Sequence, residues 1–119
     1  MKPNKVLVID DSRLIHKMFR VLLQGAEIVD AMEGREALQL LSEHPDVDLI
    51  LLDINMPQMN GLEFLDQVKK DSALSEIPVV IISTEGKEED TVRGLQAGAV
   101  AYVKKPFEGG EVMRIVERL

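Results

Sequence analysis

The sequence predicts an α/β fold: a single doubly wound sheet of five parallel strands with five helices. Two observations carry this. Short apolar runs alternate with stretches of helical spacing along all 119 residues. Three of the five runs are continuous rather than alternating, as in strands covered on both faces, which favours a parallel sheet joined by right-handed crossovers. One domain over residues 1–119 is expected, because a chain this long buries about 65% of its unfolded surface in a single core.

The elements follow in order. Val6-Leu7-Val8-Ile9 is the first strand. Leu14, Met18 and Leu22 then recur every fourth residue, with Ile15 and Phe19 widening the stripe, so a helix follows, capped by Ser12. The link Gln24-Gly25-Ala26-Glu27 is short, and Ile28-Val29 marks the second strand. Gly34 breaks the chain before a helix carrying Ala37, Leu40 and Leu41. Leu49 to Leu52 is the third strand, and Asn60-Gly61 precedes a helix carrying Phe64, Leu65 and Val68. Pro78 sits at the entrance of the fourth strand, Val79 to Ile82, where its missing N–H is tolerable. Lys87 to Ala97 is a helix with only Val92 and Leu95 as large apolar anchors, and Gly94 is expected to loosen it. Ala99 to Val103 is the fifth strand; Gly109-Gly110 then opens a last helix with Val112, Ile115, Val116 and Leu119 at i, i+3, i+4, i+7.

Composition narrows the function. There are no cysteines, which excludes disulfide scaffolds, thiolate metal sites and Cys nucleophiles. The net charge is -7 and the only rings besides His16 and His44 are Phe19, Phe64, Phe107 and Tyr102, so direct nucleic-acid binding is not expected. No apolar run is long enough to cross a bilayer, and Met1-Lys2-Pro3-Asn4-Lys5 carries no signal-peptide pattern, so a cytoplasmic protein is expected.

Polar residues stand at the carboxyl ends of the apolar runs: Asp10-Asp11 after the first, Asp53 after the third, Ser83 after the fourth, Lys104-Lys105 after the fifth. Open α/β sheets bind ligands outside those ends, where strand order reverses. If strands one and three are neighbours there, Asp10, Asp11 and Asp53 converge. Two carboxylates ~4 Å apart repel by roughly 4 kcal/mol at an effective dielectric near 20, so the cluster requires a counter-charge: a divalent cation, a lysine, or a proton. An all-oxygen donor set suits a hard ion, and Mg²⁺ better than Ca²⁺. Taken singly, Asp-Asp-Ser is also a plausible helix cap, Asp53 a turn residue and Lys105-Pro106 a solvated loop. Their common position at successive strand ends argues otherwise.

The segments Val6 to Ser12, Leu51 to Gly61, Ser83, Gly98-Ala99 and Lys105-Pro106-Phe107 together resemble the receiver domain of bacterial two-component response regulators, over essentially the whole chain. The resemblance implies a flavodoxin-like strand order of 2-1-3-4-5. It implies Asp53 as phosphoacceptor, and Mg²⁺ held by Asp10, Asp11, Asp53 and the backbone carbonyl of Asn55, with Asp10 acting largely through water. Lys105 would pair with the phosphoryl oxygens, and the Lys105-Pro106 bond would be cis. Ser83 and Tyr102 would form the switch. Asn55 and Glu85 would tune phosphoryl lifetime. His16 and His44 would be helix-surface residues with no role. The implied partners are a sensor histidine kinase or histidine phosphotransfer protein as donor, and a downstream protein as target. The protein would be a monomer or a phosphorylation-dependent dimer, with no membrane insertion. It would be a phosphoacceptor rather than an enzyme, limited to self-phosphorylation and slow autodephosphorylation.

Two other classes compete. A Mg²⁺-dependent aspartyl-phosphate phosphohydrolase resembles Asp-x-Asp-x-Thr at the first strand, whereas this chain has Asp53-Ile54-Asn55 at the third. An inert receiver-like interaction module would lack an acid or the lysine. A P-loop is excluded because Gly-x-x-x-x-Gly-Lys-[Ser/Thr] is missing, and the acids would repel a flavin phosphate.

Overall fold

The three continuous apolar runs become strands buried on both faces, whereas the second and fifth runs give partly exposed strands. A computed structural model describes residues 1–54, 60–84 and 88–119. The elements are β1 (Lys5–Ile9), α1 (Arg13–Leu22), β2 (Glu27–Ala31), α2 (Gly34–Glu43), β3 (Leu49–Leu52), α3 (Gly61–Lys70), β4 (Val79–Ser83), α4 (Glu88–Gln96), β5 (Ala101–Lys104) and α5 (Gly109–Glu117). All strand pairings are parallel, in the order β2-β1-β3-β4-β5. The predicted doubly wound architecture and the 2-1-3-4-5 order are both present. Among the described residues, no helix is long and apolar enough to cross a membrane.

Strand alternation sends successive side chains to two separate cores. Leu7, Ile9, Ile50, Leu52 and Ile81 face α2 and α3, where Leu41, Phe64 and Val68 meet them. Val6, Val8, Leu49, Leu51, Val80 and Ile82 face α1 and α5, where Phe19, Val112 and Val116 meet them. The central strands are therefore dry on both sides, and each fully buried Leu or Ile contributes about 1.5–3 kcal/mol.

Several local expectations change. The buried stripe of α1 is rotated from the one the spacing suggests. Leu14 is 66% exposed, whereas His16, Phe19 and Leu23 are buried, because Phe19 packs into the sheet and stacks on Phe107 with centroids 5.7 Å apart. Similarly, β5 begins at Ala101, not Ala99: the Ala99 N–H donates back to the Gly94 carbonyl and so closes the turn after α4. Gly94 also has a packing role that helix propensity does not reveal. It lets the helix approach the sheet, since a Cβ there would lie 2.6 Å from Ile81 Cδ1 and 3.3 Å from the Tyr102 ring. Leu119 lies beyond α5 and is 39% exposed.

Asn60, at the expected break before α3, caps that helix. Its side chain accepts from the Glu63 N–H at 3.0 Å and donates to the Glu63 carboxylate at 2.9 Å. Gly61 is required next to it, because a Cβ would stand 2.4 Å from Ile54 Cα, a backbone atom that cannot swing away. Gly61→Ala is therefore expected to lower stability by about 2–3 kcal/mol. Urea denaturation measures this, and an unchanged midpoint would contradict the contact.

Candidate functional site

The site is built by sheet register. Ile9 pairs with Leu52, so the next residues, Asp10 and Asp53, emerge side by side at the carboxyl ends of β1 and β3. Their backbones are held there: the Asp53 N–H donates to the Ile9 carbonyl at 2.9 Å and the Asp10 N–H to the Ala31 carbonyl at 3.1 Å. Asp10, Asp11 and Asp53 each bring one carboxylate oxygen to within 4.8 Å of the others. Asp10 and Asp53 are only 2% and 5% exposed, while Asp11 faces solvent.

Lys105 enters from β5. Ser83 pairs with Lys104 across β4 and β5, and the Lys105 N–H donates to the Ser83 carbonyl at 2.8 Å. From there Lys105 Nζ reaches 2.7 Å from Asp10 Oδ2 and 3.4 Å from Asp53 Oδ2. Burial works to lower the lysine pKa, but its bonds and charge attraction to Asp10, with the added pull of Asp53, together raise it above 10.5. The following peptide, Lys105-Pro106, is cis, as the resemblance implied. Phe107, stacked on Phe19, anchors this turn to α1.

One ammonium does not balance three carboxylates, and the cluster retains about two negative charges when all are ionised. The donor atoms are all oxygens, two of the acids are preformed and buried, and the third is open to solvent. Asp10, Asp11 and Asp53 can thus hold a hard divalent cation of the Mg²⁺ kind without rearranging the strands. Asn55, whose carbonyl completes the expected ligand set, lies outside the described residues, as does Glu85.

Ser83 is fully buried at the end of β4, the strand beside Asp53's own. Tyr102, half-buried, pairs in register with Ile81 and lies against Gly94 of α4. Both predicted switch residues are therefore on the side of the sheet where α4 meets β5.

Two expectations near β1 are corrected. Ser12 occupies the N-cap position of α1, but its side chain makes no cap bond. Its backbone N–H donates to Asp10 Oδ1 at 2.8 Å, a stronger acceptor, which locks the Asp10 carboxylate. His16 is not a helix-surface residue. It is 4% exposed, with Nε2 2.7 Å from the Asp10 carbonyl oxygen and Nδ1 2.8 Å from Asp30 Oδ1. His44 is partly exposed and bonded through Nδ1 to Lys5 Nζ at 3.1 Å. Sequence reasoning missed His16 because a lone polar residue in the first turns of a helix usually faces water. Its place between Ile15 and Phe19, one position from the apolar stripe, was the available signal.

Comparison with known proteins agrees with this geometry. The family model of the response regulator receiver domain matches residues 6–117. The chain is a response regulator receiver domain. Its relatives include the chemotaxis protein CheY1 of Helicobacter pylori, 36% identical over 106 residues that cover 87% of this chain and 86% of that protein. The phosphate regulon transcriptional regulatory protein PhoB of Escherichia coli is 39% identical over 92% of this receiver domain, which spans 48% of PhoB. Among solved structures, chemotaxis response regulator CheY4 of Vibrio cholerae superposes with a TM-score of 0.88 at 35% identity, covering 97% of both chains. A complex of CheX, CheY, BeF3 and Mg²⁺ from Borrelia burgdorferi has a TM-score of 0.89 at 32% identity, covering 98% of this chain and 88% of that one. The receiver domain is thus a two-component signalling protein of the CheY-like type.

Proposed function

We propose that residues 1–119 act in the cytoplasm as one phosphoacceptor switch, with Asp53 as the acceptor. The observation that carries this is the position of Asp53. It is 5% exposed, its Oδ2 lies 3.4 Å from the Lys105 ammonium, and two further carboxylates stand beside it. An ionised Asp53 oxygen forms a bond to phosphorus while the phosphorus–nitrogen bond of a donor phosphohistidine breaks, and the imidazole leaves with that electron pair. No general base is needed, because the nucleophile is already a carboxylate.

Asp10, Asp11, Asp53 and the Asn55 carbonyl would hold Mg²⁺, as the Mg²⁺ of the Borrelia CheY complex supports by analogy. When bound, that ion supplies positive charge against the phosphoryl oxygens. Lys105 supplies the protein's own share, moving its hydrogen bonds from Asp10 and Asp53 toward the new oxygens. Ser83 donates its hydroxyl proton in a hydrogen bond to the phosphoryl group. That contact biases α4, β5 and Tyr102 toward a second arrangement read by a downstream protein. The donor is a sensor histidine kinase or histidine phosphotransfer protein, and the modified domain is a monomer or dimerises on phosphorylation.

Incubation with acetyl phosphate and Mg²⁺, followed by intact-mass measurement, tests the reading. One phosphoryl adduct is expected, and chelation of the cation should abolish it. An unmodified mass in the native protein would favour an inert interaction module, and turnover of a phosphate ester would favour a hydrolase.

A further inference from the structure

The buried His16 has no part in the chemistry above, yet it touches the site through the backbone. The Asp10 carbonyl lies at the junction between β1 and the loop bearing Asp11, and it has no hydrogen to give, so His16 Nε2 is the donor of their 2.7 Å bond. The other ring nitrogen is 2.8 Å from Asp30 Oδ1 on β2, and Arg20 donates to the second oxygen of that carboxylate. A relay therefore runs from Arg20 through Asp30 and His16 to the Asp10 peptide. Asp10's carboxylate is separately tied to the Ser12 N–H and to Lys105. Asp10 is thus held at both its carboxylate and its carbonyl, and the His16 ring is 4% exposed, leaving little room for another orientation.

We infer that His16 is a positioning residue for the acidic site: by holding the Asp10 carbonyl, it orients the Asp10-Asp11 peptide so that both carboxylates converge with Asp53. The inference rests on the cation-binding reading above. Partners that orient metal ligands from outside the coordination sphere typically contribute 10–100-fold in metal affinity, and a carbonyl bond at this distance belongs to that class. The side chain also fills a packed position, so a change in stability alone does not identify the role. The reach of the donor does. A glutamine carries its N–H near the place of Nε2 and keeps the bond to Asp10 while losing Asp30. Leucine loses both bonds but remains a helix former of comparable bulk.

The test is an NMR titration of backbone amides with MgCl₂ in the native protein, His16→Leu and His16→Gln, alongside urea midpoints in chelator. We expect Mg²⁺ affinity to fall about 10-fold or more in His16→Leu and to stay within about threefold of native in His16→Gln, even where both lose stability. Asp30→Asn, which weakens the anchor behind the ring, should give a smaller loss than His16→Leu. Equal affinities in all variants, or equal losses in the Leu and Gln variants, overturn the positioning role while leaving the cation site intact. Absence of Mg²⁺ shifts in the native protein overturns the cation site, and this inference with it. If His16→Leu does not fold, His16→Met, which also lacks a donor, takes its place: a loss of about 10-fold there beside native-like affinity in His16→Gln supports the role, and equal affinities in the two overturn it.

Discussion

Asp53→Asn should carry no phosphoryl adduct under conditions that fully modify the native protein, and should fold at least as well. The amide keeps the shape of the carboxylate but presents no anionic oxygen to phosphorus, so the reaction loses its nucleophile rather than its efficiency. Stability should move the other way. In the native protein Lys105 pairs with two of the three acids, Asp10 and Asp53, and carboxylate oxygens of all three lie within 4.8 Å of one another. Neutralising one removes repulsion that no cation offsets in chelator, while the Lys105 to Asp10 bond of 2.7 Å survives. A gain of up to about 1 kcal/mol is expected, the like-charge relief being partly cancelled by the lost 3.4 Å contact. Intact mass reads the first effect and urea denaturation in chelator the second. An adduct of native yield on the variant would place the acceptor on another residue.

Lys105→Met should be the most damaging single change in the site. It leaves Asp10 and Asp53 buried without their counter-charge, and breaking such a buried pair from one side costs about 3–5 kcal/mol. The lower end is expected here, because Asp11 opens the cluster to solvent. Phosphorylation by acetyl phosphate should slow by roughly 100-fold, the scale for losing one preorganised donor to a developing oxyanion. Added Mg²⁺ should restore more stability to the variant than to the native protein, because it replaces the missing positive charge by mass action. The pH dependence has a definite sign. The Lys105 pKa is raised above 10.5 in the folded state, so its stabilisation is complete below about pH 10.5 and fades as pH rises through the higher folded value. Native and variant urea midpoints should therefore differ most near neutrality and converge in strong alkali. Equal midpoints at pH 7 in chelator would show that the lysine does not balance the acids.

Much of this protein was readable one segment at a time. Four-residue aliphatic runs, helical spacing and the Asn60-Gly61 break are short-range signals, since a buried strand or an amphipathic helix imposes its period on its own residues. The acids and the lysine were readable too, because each follows directly on a strand and all strands of a parallel sheet end on the same side. Glycines were harder. Gly94 suggests a weak helix by propensity, but its neighbours Ile81 and Tyr102 come from other strands, and they make it a site of close packing.

Periodicity and strand-end chemistry thus sufficed for the fold class and the order of elements along the chain. The gathering of Asp10, Asp11 and Asp53 also needed strands one and three to be neighbours, an order that the resemblance implied. Three-dimensional packing settled the rest: which face of α1 turned inward, how Lys105 divides itself between Asp10 and Asp53, and that His16 lies beneath the Asp10 peptide. The reason is separation along the chain. Lys105 meets Asp10 across 95 positions and Asp53 across 52, and His16 meets Asp30 across 14. No local pattern encodes a bond whose partners are brought together only by the register of the sheet.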